Sequence, residues 1–250
     1  MTDRICLDHA DIVVTHACNM KCPFCIDPLR GAGETIGMHS VEAFLELLRS
    51  NTDKRMTILL LGGEPTMAGV ETLNAIAERA HAHGFKASIS TNGAKMDVIE
   101  DICPSFDWVQ VTTHSERETD KWREVNSRHG NINLKLAGDQ RMTLESLEKF
   151  IETTEEFGRR SVSMYFTPDF KEVCTDRGVW SLLDSLDWTR NGSYMYAMHD
   201  GVRFKKCIPG ETNIIDEPTV PKLYPNGCYN KTWTNEAPDM YLGPMEVLRR

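Results

Sequence analysis

An α/β fold, built as an open, partial (β/α)6 TIM-like barrel of parallel strands with an irregular C-terminal extension, is what the sequence predicts, and three observations predict it. Apolar residues alternate between a strand-like and a helical period through the first two thirds of the chain. The strand candidates are short and β-branched or continuously apolar, as parallel strands covered by helices are. Glycine or Asn-Gly closes successive elements, at Gly62, Gly84, Gly93 and Gly158. Successive parallel strands joined by helices wind right-handed. About six such units can be read, fewer than the roughly eight that close a barrel.

Taking the elements in order, residues 10–15, ADIVVT, form the first strand, and a cysteine-bearing loop follows. Residues 40–50 form a helix behind a Ser40 N-cap, with Val41, Phe44, Leu45 and Leu48 on one face. Residues 56–61, MTILLL, read as a strand buried on both faces that stops at Gly62-Gly63. The next helix carries Val70, Leu73, Ala77 and Ala80 on one stripe and ends at Gly84, a residue suited to a left-handed cap. Strands follow at 85–91, ending at Asn92-Gly93, at 108–113 and at 132–137, with a charged helix near 116–126. Thr143 caps an amphipathic helix of Leu144, Leu147, Ile151 and Thr154, closed by Gly158, and residues 161–166 supply the sixth strand.

The chain is expected to organise as a partial barrel over residues 1–190 and an extension over 191–250 that covers the substrate side. In that extension Pro209, Pro218, Pro221, Pro225, Pro238 and Pro244 punctuate short segments. Residues 193–198 alternate like a strand, and 222–233 read as a hairpin about a Pro-Asn-Gly turn. With 250 residues the chain buries a full core without covalent staples. Its 28 Lys and Arg against 37 Asp and Glu leave a formal charge of −9, which disfavours nucleic acid as a partner. The start has no signal pattern, and the longest apolar run, ILLL, is far too short to cross a bilayer. A cytoplasmic protein without a membrane partner is the expectation.

Among eight cysteines, Cys18, Cys22 and Cys25 fall on one short loop, which reads as metal binding rather than as a disulfide frame. Zinc is one reading, with His16 as fourth ligand. The other is a [4Fe–4S] cluster whose fourth iron stays open to an outside ligand. Gly62, Gly63, Glu64 and Pro65 follow the second strand directly. Two glycines permit close approach of backbone, and the carboxylate can pair with an ammonium group. Thr91 and Asn92 end the third strand within STNG. Three motifs thus stand at the carboxyl ends of successive strands, where sites gather in barrels and open sheets.

Cys18-x3-Cys22-x2-Cys25, with Phe24 before the third cysteine, resembles the signature of the radical S-adenosylmethionine enzymes, and GGEP and TNG are similar to that family's motifs. The resemblance covers roughly residues 11–166 and is nearest in pattern to the branch of the molybdenum-cofactor and peptide-modifying enzymes. It implies a [4Fe–4S] cluster on Cys18, Cys22 and Cys25, with S-adenosyl-L-methionine on the open iron. It also implies cofactor contacts from Phe24, Gly62, Gly63, Glu64, Pro65, Thr91, Asn92 and Lys135, with Thr113, His114 and Asn133 as further candidates. Reductive cleavage of the cofactor then yields a 5′-deoxyadenosyl radical that abstracts hydrogen from a substrate. An external one-electron donor of flavodoxin or ferredoxin type is implied as well.

The substrate is expected to be a peptide, or a nucleoside or other small metabolite. The alternative family members are 7-carboxy-7-deazaguanine synthase and the activases that install glycyl radicals. The first usually shows Cys-Asp-Thr, where this chain has Cys25-Ile26-Asp27, and the activases' mid-barrel Asp-x-Lys is missing from residues 108–114. Cys103, Cys174, Cys207 and Cys228 form no CxxC, unlike auxiliary-cluster domains, although they could converge in space. Cys207 and Cys228 are candidates as hydrogen-atom donors to a substrate radical. A non-enzymatic zinc protein is the rival class, and use of the cofactor as methyl donor or sensor ligand is a third option.

Overall fold

A computed structural model describes residues 9–22, 25, 31, 33–51, 55–114, 118–138, 141–157, 159–165, 176–185, 195–199, 202–208, 211–214, 222–225 and 229–230. The chain divides into two compact units, one of Met1–Lys21, Asp27–Val109 and Pro218–Arg250, the other of Cys22–Ile26 and Gln110–Glu217. In the first unit the order is β1 (His9–Thr15), α1 (Met38–Asn51), β2 (Thr57–Gly62), α2 (Val70–Ala82), β3 (Lys86–Thr91) and α3 (Met96–Ile102). Strand β4 (Trp108–Thr113) crosses the division between the units. The second unit continues with α4 (Thr119–His129), β5 (Ile132–Gly138), α5 (Leu144–Thr153), β6 (Arg159–Tyr165) and α6 (Arg177–Ser185). Strands β7 (Met195–His199), β8 (Val202–Ile208) and β9 (Glu211–Ile214) complete it, and β10 (Lys222–Leu223) and β11 (Tyr229–Asn230) return to the first unit.

In the first unit β1 pairs in parallel with β2, and β2 with β3. The C-terminal hairpin is present: β10 and β11 pair antiparallel, and β10 adds to the outer edge of β1 in parallel. In the second unit β5, β6 and β7 are parallel, and β8 and β9 return antiparallel. Both units are therefore open, mainly parallel α/β sheets. Strand β7 falls where the sequence reading expected a strand-like alternation and β8 where it expected a solvated strand face at Arg203, Lys205 and Lys206, whereas β9, α3 and α6 carried no pattern clear enough to read.

The helices follow their periodicity with four corrections. In α1 the buried residues are Val41, Phe44, Leu45 and Leu48 as expected, but Ser40 is not the N-cap. Gly37 O accepts from both Ser40 N and Val41 N, so the helix begins before Ser40, at Met38. In α2 Ile76 joins Leu73, Ala77 and Ala80 in the core, while Val70 at the helix start is only half-buried. Its end is a Schellman motif: Phe85 N donates to Ala80 O, Gly84 N donates to His81 O, and Gly84 has φ +79. Helix α4 begins at Thr119 and closes at left-handed Gly130 (φ 72), because Thr119, Trp122 and Val125 set its buried face. Thr143 caps α5 through a reciprocal capping box with Ser146, and Phe150 rather than Ile151 joins Leu147 in the core.

Strand β2 is buried on one face only. Ile58 and Leu60 have no exposed surface, whereas Thr57, Leu59 and Leu61 on the other face are half-buried. Register places Leu59 beside Asp11 on one side and Ser88 on the other, and Asp11 beside Lys222 of β10. Residues in register on parallel strands point to the same face, so polar Lys222, Asp11 and Ser88 share this face with Leu59. Lys222 Nζ stands 3.3 Å from Asp11 Oδ2, and both side chains are buried.

Candidate active site

Three strand ends of the first unit meet, and backbone contact explains the Gly-Gly pair. Gly63 N donates to Thr15 O and Glu64 N to Ala17 O, each at 2.8 Å. A Cβ on Gly62 would lie 2.2 Å from Thr15 O, and one on Gly63 would lie 2.5 Å from both His16 O and Ala17 O. No side chain fits there, and Gly62 also holds φ +149. The close approach expected of these glycines is thus made to the backbone at the root of the cysteine loop.

Glu64 is buried, with 1% of its surface exposed. Its Oε1 accepts from Thr66 N at 3.1 Å, from Thr66 Oγ1 at 2.6 Å and from Thr91 Oγ1 at 2.6 Å. Its Oε2 accepts from Asn92 N at 2.7 Å. A buried carboxylate needs such donors, since an unsatisfied one is costly. Glu64 therefore ties the end of β2 to the end of β3, with Pro65 opening a short 3₁₀ turn beside it. Thr66 escaped the sequence reading, although a hydroxyl two residues past a carboxylate is a common local partner.

The cysteine loop leaves β1 at Thr15, whose Oγ1 accepts from Ala17 N at 3.1 Å. Its far end returns to β1: Gly31 N donates to His16 O, Ile36 N donates to Val14 O, and Thr35 bridges Thr15. Within the first unit Met20 N contacts Cys18 Sγ at 3.4 Å. Cys25 N donates to Cys22 O at 3.2 Å in a local turn belonging to the second unit. All three cysteines are half-buried and outside any disulfide. Among the described residues no group of three or more His, Cys, Asp or Glu side chains is gathered at metal-ligating distance. As a donor set, three soft thiolates on one loop fit an iron–sulfur cluster.

Other candidates fall into place unevenly. Thr91 is buried on Glu64, and Asn92 reaches across to Asn19 of the cysteine loop, with Nδ2 donating to Oδ1 at 2.8 Å. Lys135 is buried on β5, in register with buried Ser161 on β6. Asn133 is half-buried on the same strand. Thr113 Oγ1 donates to Glu118 Oε2 at 2.8 Å, while His114 beside it is exposed. Cys103 is fully buried, and burial, then the Glu100 carboxylate, push its thiol up to about 12. Phe24, Cys174, Cys228 and the side chain of Cys207 lie outside the described residues.

Residues 12–168 match the model of the Radical SAM superfamily. The chain belongs to that superfamily. A provisionally named glycyl-radical enzyme activating enzyme of Methanocaldococcus jannaschii is 30% identical over 115 residues, 45% of each chain. The 7-carboxy-7-deazaguanine synthase of Thermococcus kodakarensis is 34% identical over 87 residues, 34% of each chain. The matched stretches therefore span less than half of these curated relatives. Among solved structures, native anSMEcpe with bound AdoMet and Cp18Cys peptide superposes with TM-score 0.66 at 14% identity, covering 96% of this chain and 79% of that one. Streptococcus suis SuiB bound to precursor peptide SuiA gives 0.64 at 13% identity, covering 97% and 63%. These likenesses support the partial TIM-like barrel. No helix among the described residues is long and apolar enough to cross a membrane.

Proposed function

We propose that this radical SAM enzyme holds a [4Fe–4S] cluster on Cys18, Cys22 and Cys25 and abstracts hydrogen from a peptide or protein substrate. The observation that carries the reading is the three-cysteine loop at the end of β1, inside the family match and rooted on the GGEP turn. When bound, cluster and S-adenosyl-L-methionine supply a 5′-deoxyadenosyl radical, driven by an electron from a flavodoxin- or ferredoxin-type donor. The chain's own task is positioning. Gly62, Gly63, Glu64, Pro65, Thr91 and Asn92 form one hydrogen-bonded wall beside the loop, and this wall orients the methionine end of the cofactor. Phe24 and Lys135 complete the contacts in this reading, and Cys207 or Cys228 is retained as a hydrogen-atom donor.

A peptide or protein substrate is supported by the activating-enzyme relative and by the peptides bound in the two structural neighbours. A nucleoside-like small molecule is the second reading, supported by the match to 7-carboxy-7-deazaguanine synthase. Anaerobically purified protein should be brown, contain iron and sulfide, and release 5′-deoxyadenosine from S-adenosyl-L-methionine under reduction, detected by mass spectrometry. Alanine at any of Cys18, Cys22 or Cys25 should abolish both colour and product. Colourless protein carrying zinc and yielding no 5′-deoxyadenosine would sink the proposal. Deuterium passing into 5′-deoxyadenosine from a labelled peptide, and not from labelled nucleosides, would separate the two substrate readings.

A further inference from the structure

The first segment of the cysteine loop is held in two ways. At its root the bonds are backbone to backbone, from Gly63 N to Thr15 O and from Glu64 N to Ala17 O. Farther along, between Cys18 and Cys22, the contact is made by side chains: Asn92 Nδ2 donates to Asn19 Oδ1 at 2.8 Å. The direction of that bond follows from its surroundings. Asn92 Oδ1 already accepts from Ala94 N at 3.0 Å, which leaves the amide's NH₂ to face Asn19. The backbone of Asn92 is anchored too, with N donating to buried Glu64 Oε2 at 2.7 Å. A rigid donor at the end of β3 thus meets an acceptor on the loop.

The pair adds little to global stability, because Asn19 is exposed and water offers both amides alternative partners. Its location gives it another use. We propose that Asn19 and Asn92 are a positioning pair that fixes the Cys18 arm of the loop against the GGEP and TNG strand ends. In this way one geometry relates the cluster's first ligand to the cofactor wall. The inference rests on the reading that Cys18, Cys22 and Cys25 hold the cluster. Glu64 serves the same end indirectly, by holding the Asn92 backbone.

The test compares anaerobically reconstituted wild type with Asn19→Ala, Asn92→Ala and the double variant. Iron and sulfide content and the urea unfolding midpoint should be unchanged in all three. Each single variant should weaken equilibrium binding of S-adenosyl-L-methionine by about threefold to tenfold, the worth of one hydrogen bond. Each should also broaden the electron paramagnetic resonance signal of the reduced cluster. The double variant should be no weaker than the weaker single, since both substitutions remove the same contact. Asn19→Asp keeps an acceptor for Asn92 Nδ2 and should restore the narrow signal. Single effects that multiply in the double variant, or a single variant that matches wild type in both affinity and signal, would overturn the pair. A wild type that assembles no cluster would instead overturn the proposed function, and the pair with it.

Discussion

Cys103 shows how one residue's surroundings decide its chemistry. It stands at the end of α3 with no surface exposed, and desolvation, followed by repulsion from Glu100, pushes its thiol up to about 12. A buried thiol that ionises so late supplies almost no free thiolate at neutral pH, so it is a poor nucleophile there. The unfolded chain loses this proton near the ordinary cysteine value of about 8.5. Between that value and about 12 the native state therefore binds more protons. The resulting stability is fully present below the unfolded value and disappears as pH rises through the folded one. Iodoacetamide applied to the metal-free native protein at pH 8 should label Cys18, Cys22 and Cys25 and spare Cys103 until urea is added. Peptide mass spectrometry reads the outcome, and rapid native labelling of Cys103 would contradict it.

At the scale of the element, the turn after β2 is a fitted joint rather than a flexible connection. Gly63 has no room for a methyl group, because two carbonyl oxygens of the cysteine loop lie 2.5 Å from where its Cβ would be. Backbone atoms yield less readily than the end of a flexible side chain. Gly63→Ala should therefore displace the loop root, cost about 1–3 kcal/mol in urea unfolding of the metal-free protein, and lower the iron bound per chain after reconstitution. Gly33→Ala is the control, since nothing lies within 4 Å of its added Cβ. Equal behaviour of the two variants would show that the joint is not tight. Residues 62–65 were legible as a turn and a motif, but what the glycines press against was not, because that depends on a loop from the preceding strand.

Across the whole molecule, the C-terminal hairpin joins the first strand through a buried charge pair. Lys222 and Asp11 come from opposite ends of the chain and meet in register, Nζ to Oδ2 at 3.3 Å. Removing one charge takes a charged partner from the other in a site already stripped of water. Lys222→Met should therefore destabilise the protein by roughly 3–5 kcal/mol. Asp11→Leu combined with Lys222→Met should recover most of that loss, because an apolar pair needs no solvation. Denaturant midpoints of both variants measure this, and a single variant as stable as wild type would show that the pair contributes nothing. The reading of 222–233 as a hairpin needed only its turn residues and alternation, whereas neither Asp11 nor Lys222 carried a signal that it would be buried.

What the sequence determined by itself was local or contiguous. Helix faces in α1 and α2, the Thr143 cap and the cysteine spacing all depend on residues a few positions apart. The same holds for the family motifs, which lie within residues 12–168. What only the tertiary structure decided was long-range. Glu64 meeting Thr91 and Asn92, Asn92 meeting Asn19, and Lys222 meeting Asp11 each join segments that share no period. Hydrophobic patterning records which face of an element turns inward, but it carries no record of the polar atom that waits there on another strand.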